Sequence, residues 1–336
     1  MNNFQAVDKM EASYYEKLED EKVRCVLCPN FCVIADGRKG MCRIRVNHNG
    51  KLYAEGYAEV VSLSLDPVEK KPLYHFYPGK AILSTGPNGC NFRCGFCQNS
   101  EISQKDMFTR HVEPSILAAM ATESESIGIA YTYSEPLVWF EYIRDAGNAV
   151  KELGLVNVLV SNGYVNEDPF REILPLIDAM NIDLKSMNHG FYTKICGGNL
   201  DDVKRTIEIA SGACHVELTN LVITNNNDSD EDFEEFSKWV ASVNPNIPVH
   251  FSRYFPSYKF NEAPTKPERL MKAYEIASSY LNYVYVGNMS FEGSSDTYCP
   301  DCRNILIKRT GYSTDVTGII DGKCNICSRK ADVIGI

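Results

Sequence analysis

Short apolar runs alternate with amphipathic stretches from residue 81 to residue 286, and this alternation constrains the fold more than any other feature of the sequence. Candidate strands occupy residues 81–85, 127–131, 157–160, 179–183, 215–219 and 248–251, with 282–286 as a candidate further strand. Helical spacing of apolar residues fills 114–124, 136–153, 202–210 and 230–240. Strands that each lead into a helix pair in parallel, because the helix supplies the crossover and covers one face of the sheet. The class is therefore α/β with a parallel sheet of six strand–helix units. In such architectures functional groups gather at the C-terminal ends of the strands. At 336 residues the chain exceeds the usual single-domain length, so one large enzyme domain with small appendages is expected.

The thirteen cysteines locate the chemistry, since eleven of them fall into three local groups. In a reducing compartment that pattern marks metal ligands rather than disulfides. A cytoplasmic location is expected, because residues 1–20 lack the apolar core of a signal peptide and no later run is long enough to span a bilayer. The net charge of −10 argues against a general nucleic-acid partner, which would need clustered Lys and Arg.

Cys90, Cys94 and Cys97 follow the 81–85 strand at C-x3-C-x2-C spacing. Four thiolates close a cubane cluster, so three suggest a [4Fe-4S] cluster with one iron open to a small molecule; a structural zinc site would normally have four ligands. Cys25, Cys28, Cys32 and Cys42 lie among turn residues in a stretch too short for its own core, so a metal is expected to replace one. Zinc is the favoured occupant there, with a second iron–sulfur cluster as the alternative. Cys299, Cys302, Cys324 and Cys327 form two C-x2-C knuckles that read as a zinc ribbon, or less favourably as a rubredoxin-like iron site. Cys196 and Cys214 read as structural.

The stretch Gly89-Cys90-Asn91-Phe92-Arg93-Cys94-Gly95-Phe96-Cys97, placed directly after a strand, resembles the cluster loop of radical SAM enzymes. That resemblance implies an open partial (β/α)6 TIM-type barrel and an open iron that binds the amino and carboxylate groups of S-adenosylmethionine. It also implies reductive cleavage to methionine and a 5′-deoxyadenosyl radical that takes hydrogen from a substrate, the cofactor supplying the difficult chemistry and the protein its position. The four N-terminal cysteines, the connector 66–79, the Gly89–Phe92 run and the C-terminal knuckles together resemble the AmmeMemoRadiSam-system radical SAM proteins over nearly the whole chain. This group is labelled pyruvate formate-lyase activating-enzyme-like, a label that does not identify a substrate. The implied organisation is a cysteine-rich metal-binding segment at 1–79, a barrel at 80–292 and a zinc-ribbon or rubredoxin-like module at 293–336.

On the same resemblance, Cys90, Cys94 and Cys97 hold the cluster, and Phe96 shields it and contacts the cofactor. Glu135 occupies the place of a Gly-Gly-Glu-like motif, with Tyr133-Ser134 instead of the two glycines, and would accept hydrogen bonds from the cofactor's amino group. Read from its residues alone, Ser134-Glu135-Pro136 is a helix start. Ser161-Asn162-Gly163 resembles the Thr-Asn-Gly of activating enzymes, although Val160 stands where those have an acidic residue. Asp183 and Lys185 match an Asp-x-Lys motif beside the methionyl group, and strand alternation puts them on one face. His250 matches a late-strand cofactor contact, with a packed core histidine as its other reading, and Arg253 is a candidate for carboxylate or phosphate recognition. The expected partners are a reduced flavodoxin or ferredoxin-type electron donor and a substrate, which in one version is a glycyl radical enzyme. In another version the substrate is a small molecule or another macromolecule. The competing class, an inactive barrel that docks partners through its metal-bound ends, is disfavoured by the intact triad.

Overall fold

Apolar β-branched runs buried on both faces make the central sheet, as expected where helices cover a parallel sheet. The computed structural model describes residues 10–336; residues 1–9 of the expected cysteine-rich segment lie outside the described residues. The sheet strands are β1 (Ala81–Thr85), β2 (Gly128–Tyr131), β3 (Val156–Ser161), β4 (Ala179–Asp183), β5 (His215–Val222), β6 (Val249–Arg253) and β7 (Val284–Gly287). All seven run parallel, each beside its successor. An antiparallel strand, Leu63–Pro67, continues the sheet beyond β1. The sheet edges, β7 and Leu63–Pro67, are not paired with each other, so the barrel is partial and open.

Six helices make the crossovers: α1 (Pro114–Glu123), α2 (Phe140–Glu152), α3 (Glu167–Ile173), α4 (Leu200–Ser211), α5 (Asp230–Val243) and α6 (Pro267–Ser278). The six expected strand–helix units are thus present, and the candidate seventh strand forms as β7. Two helices, α3 and α6, were not among the expected ones. Each carries a proline in its first turn (Pro169, Pro267), where the missing N–H has no intrahelical acceptor to lose. Helix α2 turns Phe140, Ile143, Ala146 and Val150 inward at helical spacing, and a single turn of 3-10 helix, Pro136–Trp139, leads into it.

The connector at 66–79 does more than bridge two parts of the chain. Val68, Leu73 and Phe76 pack against Ile82, Val158 and Ala179, in the first halves of β1, β3 and β4, and against Ala130 of β2, so the connector plugs the N-terminal mouth of the barrel. Two of its backbone groups are matched by strand side chains: Pro72 carbonyl oxygen accepts from Asn181 Nδ2 at 2.8 Å, and His75 N donates to Glu217 Oε1 at 2.7 Å. Leu63–Pro67, within the expected N-terminal segment, pairs into the same sheet as β1.

Before the barrel, Tyr15–Lys17, Val23–Cys25 and Val33–Ile34 form a small antiparallel sheet beside a hairpin of Arg45–His48 and Lys51–Ala54. After it, Thr297–Tyr298, Ile305–Thr310 and Ser313–Asp315 form a second. Arg309 ties that module to the barrel floor, donating to the carbonyl oxygens of Tyr74 and Ser295 and to Thr297 Oγ1, with its guanidinium over the Tyr74 ring at 4.3 Å. No helix among the described residues is long and apolar enough to cross a membrane.

Candidate active site

The loop that follows β1 carries Cys90, Cys94 and Cys97 at the C-terminal end of the sheet. Several elements clamp it. Arg93 N donates to Cys196 O at 2.7 Å, Gly95 N to Ile195 O at 3.2 Å, and Lys259 N to Gly95 O at 2.9 Å. Asn91 is buried between strands, its Nδ2 donating to Tyr164 O at 2.6 Å and its Oδ1 accepting from Asn162 Nδ2 at 2.9 Å. Donors also face the sulfurs: Phe92 N lies 3.3 Å from Cys90 Sγ, Asn162 Nδ2 3.7 Å from Cys90 Sγ, and Ser103 Oγ 3.3 Å from Cys97 Sγ. Polar groups around the sulfurs suit a thiolate-held cluster, whose properties depend on such hydrogen bonds. The three sulfurs do not all lie within 4.8 Å of one another, a wider spacing than a single ion requires.

Glu135 sits at the end of β2 with a fully buried carboxylate. Oε1 accepts from Leu137 N at 2.9 Å and from Ser161 Oγ at 2.7 Å, and Oε2 accepts from Asn162 N at 2.8 Å. Burial pushes its carboxyl up to about 7; the three donors work against that rise and the Asp183 carboxylate adds to it. Asn162 therefore joins two groups, its backbone on Glu135 and its side chain on Cys90. The helix-start reading of Glu135 is also realised, since its side chain caps the turn beginning at Pro136.

Where the two glycines would stand, Tyr133 adopts a left-handed φ of 70°. A non-glycine residue in that region carries strain of about 1–2 kcal/mol. Tyr133 Oη donates to the buried Asp66 at 2.9 Å, and the Lys71 ammonium lies 4.9 Å from its ring centroid, which holds the turn in place.

At the end of β4, Lys185 Nζ donates to Asp183 Oδ2 at 2.8 Å and lies 5.9 Å from the Phe96 ring. Burial alone would depress the Lys185 ammonium, but Asp183 and the Cys94 and Cys196 sulfurs hold it well above its ordinary range. Phe96 is 4% exposed and packs against Phe191 and Phe260. Cys196, read from the sequence as structural, is buried with its thiol in contact with Cys94. The signal for this neighbour was its place on the turn that follows the Asp-x-Lys run.

His250 is engaged from the neighbouring strands. Its Nε2 bonds Glu217 Oε2 at 2.6 Å, and its ring lies against Tyr74 and Tyr285. A carboxylate on the adjacent strand engages it, an arrangement in keeping with a packed core histidine. Burial would raise the Glu217 carboxyl, but its bonds from His215 and His250 hold it well below the usual range. Arg253 Nε is engaged by Thr265 O at 2.8 Å.

Cys299, Cys302, Cys324 and Cys327 converge so that all four sulfurs lie within 4.8 Å. The Cys299–Cys327 and Cys302–Cys324 sulfurs are 3.5 and 3.6 Å apart. Tetrahedral ligation at a zinc–sulfur distance of about 2.3 Å places sulfurs about 3.8 Å apart, so this quartet fits one metal ion.

The sequence profile of the Radical SAM superfamily matches residues 85–240. The chain is 41% identical over 333 residues to Uncharacterized protein MJ0808 of Methanocaldococcus jannaschii, covering 96% of this chain and 99% of that one. It is 26% identical over 129 residues to the pyruvate formate-lyase 1-activating enzyme of Escherichia coli K12, covering 36% of this chain and 51% of that enzyme. Among solved structures, Streptococcus suis SuiB bound to S-adenosylmethionine aligns with a TM-score of 0.50 at 12% identity, covering 63% of this chain and 50% of that one. At that identity the likeness concerns the fold.

Proposed function

Because the chain belongs to the radical SAM superfamily and is related to pyruvate formate-lyase activating enzymes, we propose that Cys90, Cys94 and Cys97 hold a [4Fe-4S] cluster beside a bound S-adenosylmethionine. Held by these residues, the cluster would supply the single electron for reductive cleavage of the cofactor's sulfonium to methionine and the 5′-deoxyadenosyl radical, and with it the capacity to take a hydrogen atom from a substrate. The observation that carries this reading is the convergence of Asn162 on both Glu135 Oε2 and Cys90 Sγ, with the Asp183 carboxylate, itself paired with Lys185, near enough to raise the Glu135 carboxyl.

In this proposal Glu135 accepts from the cofactor's ammonium, and Ser161 and Asn162 position Glu135. Lys185 pairs with the cofactor's carboxylate. Asp183 orders Lys185 and the amine. Phe96, buried between Phe191 and Phe260, excludes water from the cluster side. The C-terminal quartet holds zinc, which orders a module whose other buried side chains are few.

The relation to activating enzymes supports a protein substrate with a glycine-bearing loop that enters the open barrel, and a reduced flavodoxin or ferredoxin-type protein as electron source. The chain acts in the cytoplasm. Anaerobic cluster-loaded protein given S-adenosylmethionine and a reductant should release 5′-deoxyadenosine, and Cys97→Ala should abolish the release while the zinc content stays constant. Deuterium transferred from a labelled glycyl radical enzyme into 5′-deoxyadenosine supports the protein-substrate reading. Transfer only from a labelled small molecule refutes it, and failure of cleavage with every reductant refutes the radical reading itself.

A further inference from the structure

The four N-terminal thiols take no part in the site above. Cys25 ends a strand, Cys28 and Cys32 lie in the turn that follows, and Cys42 precedes the Arg45–His48 strand. All four line one small cavity together with Arg45 and Val138. Cys25, Cys28 and Cys42 are buried and Cys32 half-buried, and none is disulfide-bonded.

The separation of the sulfurs discriminates between occupants. Among the described residues, the C-terminal quartet is the one group of three or more ligand-type side chains whose donor atoms all lie within 4.8 Å. The N-terminal thiols surround a common cavity yet stand too far apart to meet that limit, as do Cys90, Cys94 and Cys97. One zinc ion needs its sulfurs about 3.8 Å apart. A cubane places each thiolate on a different corner iron and so holds its sulfurs farther apart. We propose that Cys25, Cys28, Cys32 and Cys42 bind a second [4Fe-4S] cluster, which replaces the zinc favoured from spacing alone.

N–H groups reach the thiol sulfurs, and the cation nearest Cys25, Arg45, is paired through Nη2 with the buried Glu141 carboxylate at 2.5 Å. The Arg45 side chain is 1% exposed and lines the cavity, with Nη1 3.9 Å from Cys25 Sγ and Nε without a partner. Met41 N lies 3.5 Å from Cys32 Sγ. Four thiolates leave no iron open, so this cluster carries electrons and does not bind S-adenosylmethionine. It also abuts the reactive loop on both sides of Cys90. A Cβ on Gly89 would lie 2.3 Å from the Cys42 carbonyl oxygen, and Asn30 Nδ2 donates to Asn91 O at 2.9 Å.

Metal analysis and electron paramagnetic resonance of the full chain, isolated anaerobically, test this. The variant Cys90→Ser/Cys94→Ser/Cys97→Ser should keep about four irons and one zinc per chain. On reduction it should show a [4Fe-4S] signal that S-adenosylmethionine leaves unchanged. A variant with no iron and about two zincs per chain overturns the proposal. The unaltered chain supplies an independent reading by Mössbauer spectroscopy: about eight irons, all in [4Fe-4S] form, are expected, whereas about four irons with two zincs refutes the second cluster. Neither reading depends on cleavage activity, so loss of the proposed catalysis would leave this inference standing or falling by itself.

Discussion

Glu135→Gln separates the charge of this carboxylate from its shape. In the wild type burial raises the carboxyl to about 7, so ionisation falls within an accessible range. If the cofactor's ammonium binds the ionised form, the apparent affinity scales with the ionised fraction, about 3% at pH 5.5 and about 76% at pH 7.5. The cofactor's α-amino group, titrating at about 7.8, is itself about one-third neutral at pH 7.5, so the dissociation constant should fall about sixteenfold across that window. A charge-assisted hydrogen bond contributes about 1.5–3 kcal/mol, so Gln should weaken binding roughly tenfold to a hundredfold at pH 7.5. At pH 5.5 the wild type is mostly protonated and the gap should narrow. The linked sign for stability is opposite: because the folded-state value is raised, the cofactor-free protein loses stability as pH rises from about 4.5 to 7, and the variant should not. Isothermal titration of S-adenosylmethionine into protein with oxidised cluster measures the affinity without turnover. A wild-type affinity that is flat from pH 5.5 to 7.5, or a Gln variant that follows the wild-type curve, would refute the assignment of Glu135 to the ammonium.

His75 is buried, and burial lowers its imidazole to about 4 from an ordinary 6.5. Stability should be complete above pH 6.5 and fall as the pH drops, by about 2 kcal/mol between pH 7 and 5; His75→Asn, compared by urea denaturation, should flatten that slope, and an unchanged slope counts against the burial argument. In Gly89→Ala the added methyl meets a backbone oxygen at 2.3 Å, which cannot swing aside. Displacing the Cys90 loop by about 1 Å should cost on the order of a hundredfold in 5′-deoxyadenosine formation, and near-normal turnover would show that the loop tolerates the shift. Arg309→Met removes the hydrogen bond to Tyr74 O on the barrel floor and two within its own module, to Ser295 O and Thr297 Oγ1; it should lower stability by about 2–4 kcal/mol and speed amide exchange at 70–77, while protection equal to the wild type would show that docking does not rest on Arg309.

Two kinds of information in the chain differ in range. The alternation of strands and helices, the C-x3-C-x2-C loop and the C-terminal knuckles are short-range patterns, legible because side-chain period and turn geometry act over a few residues. They were sufficient for the α/β class and for the three cysteine groups. The setting of Glu135 was not legible, because its donors arrive from the end of β3, 26 and 27 residues away. The partner of His250 is likewise decided across neighbouring strands, where Glu217 stands 33 positions away. The connector at 66–79 reads as a linker, yet packing against residues of β1 to β4 makes it the barrel floor. The N-terminal cysteines show the division most clearly. Their spacing marks them as ligands, but the distance between sulfurs depends on how Cys42, brought in by its own hairpin, faces Cys25 and Cys28 across a cavity. Ligand type is a property of residues, whereas the separation that distinguishes one ion from a cubane belongs to the folded chain.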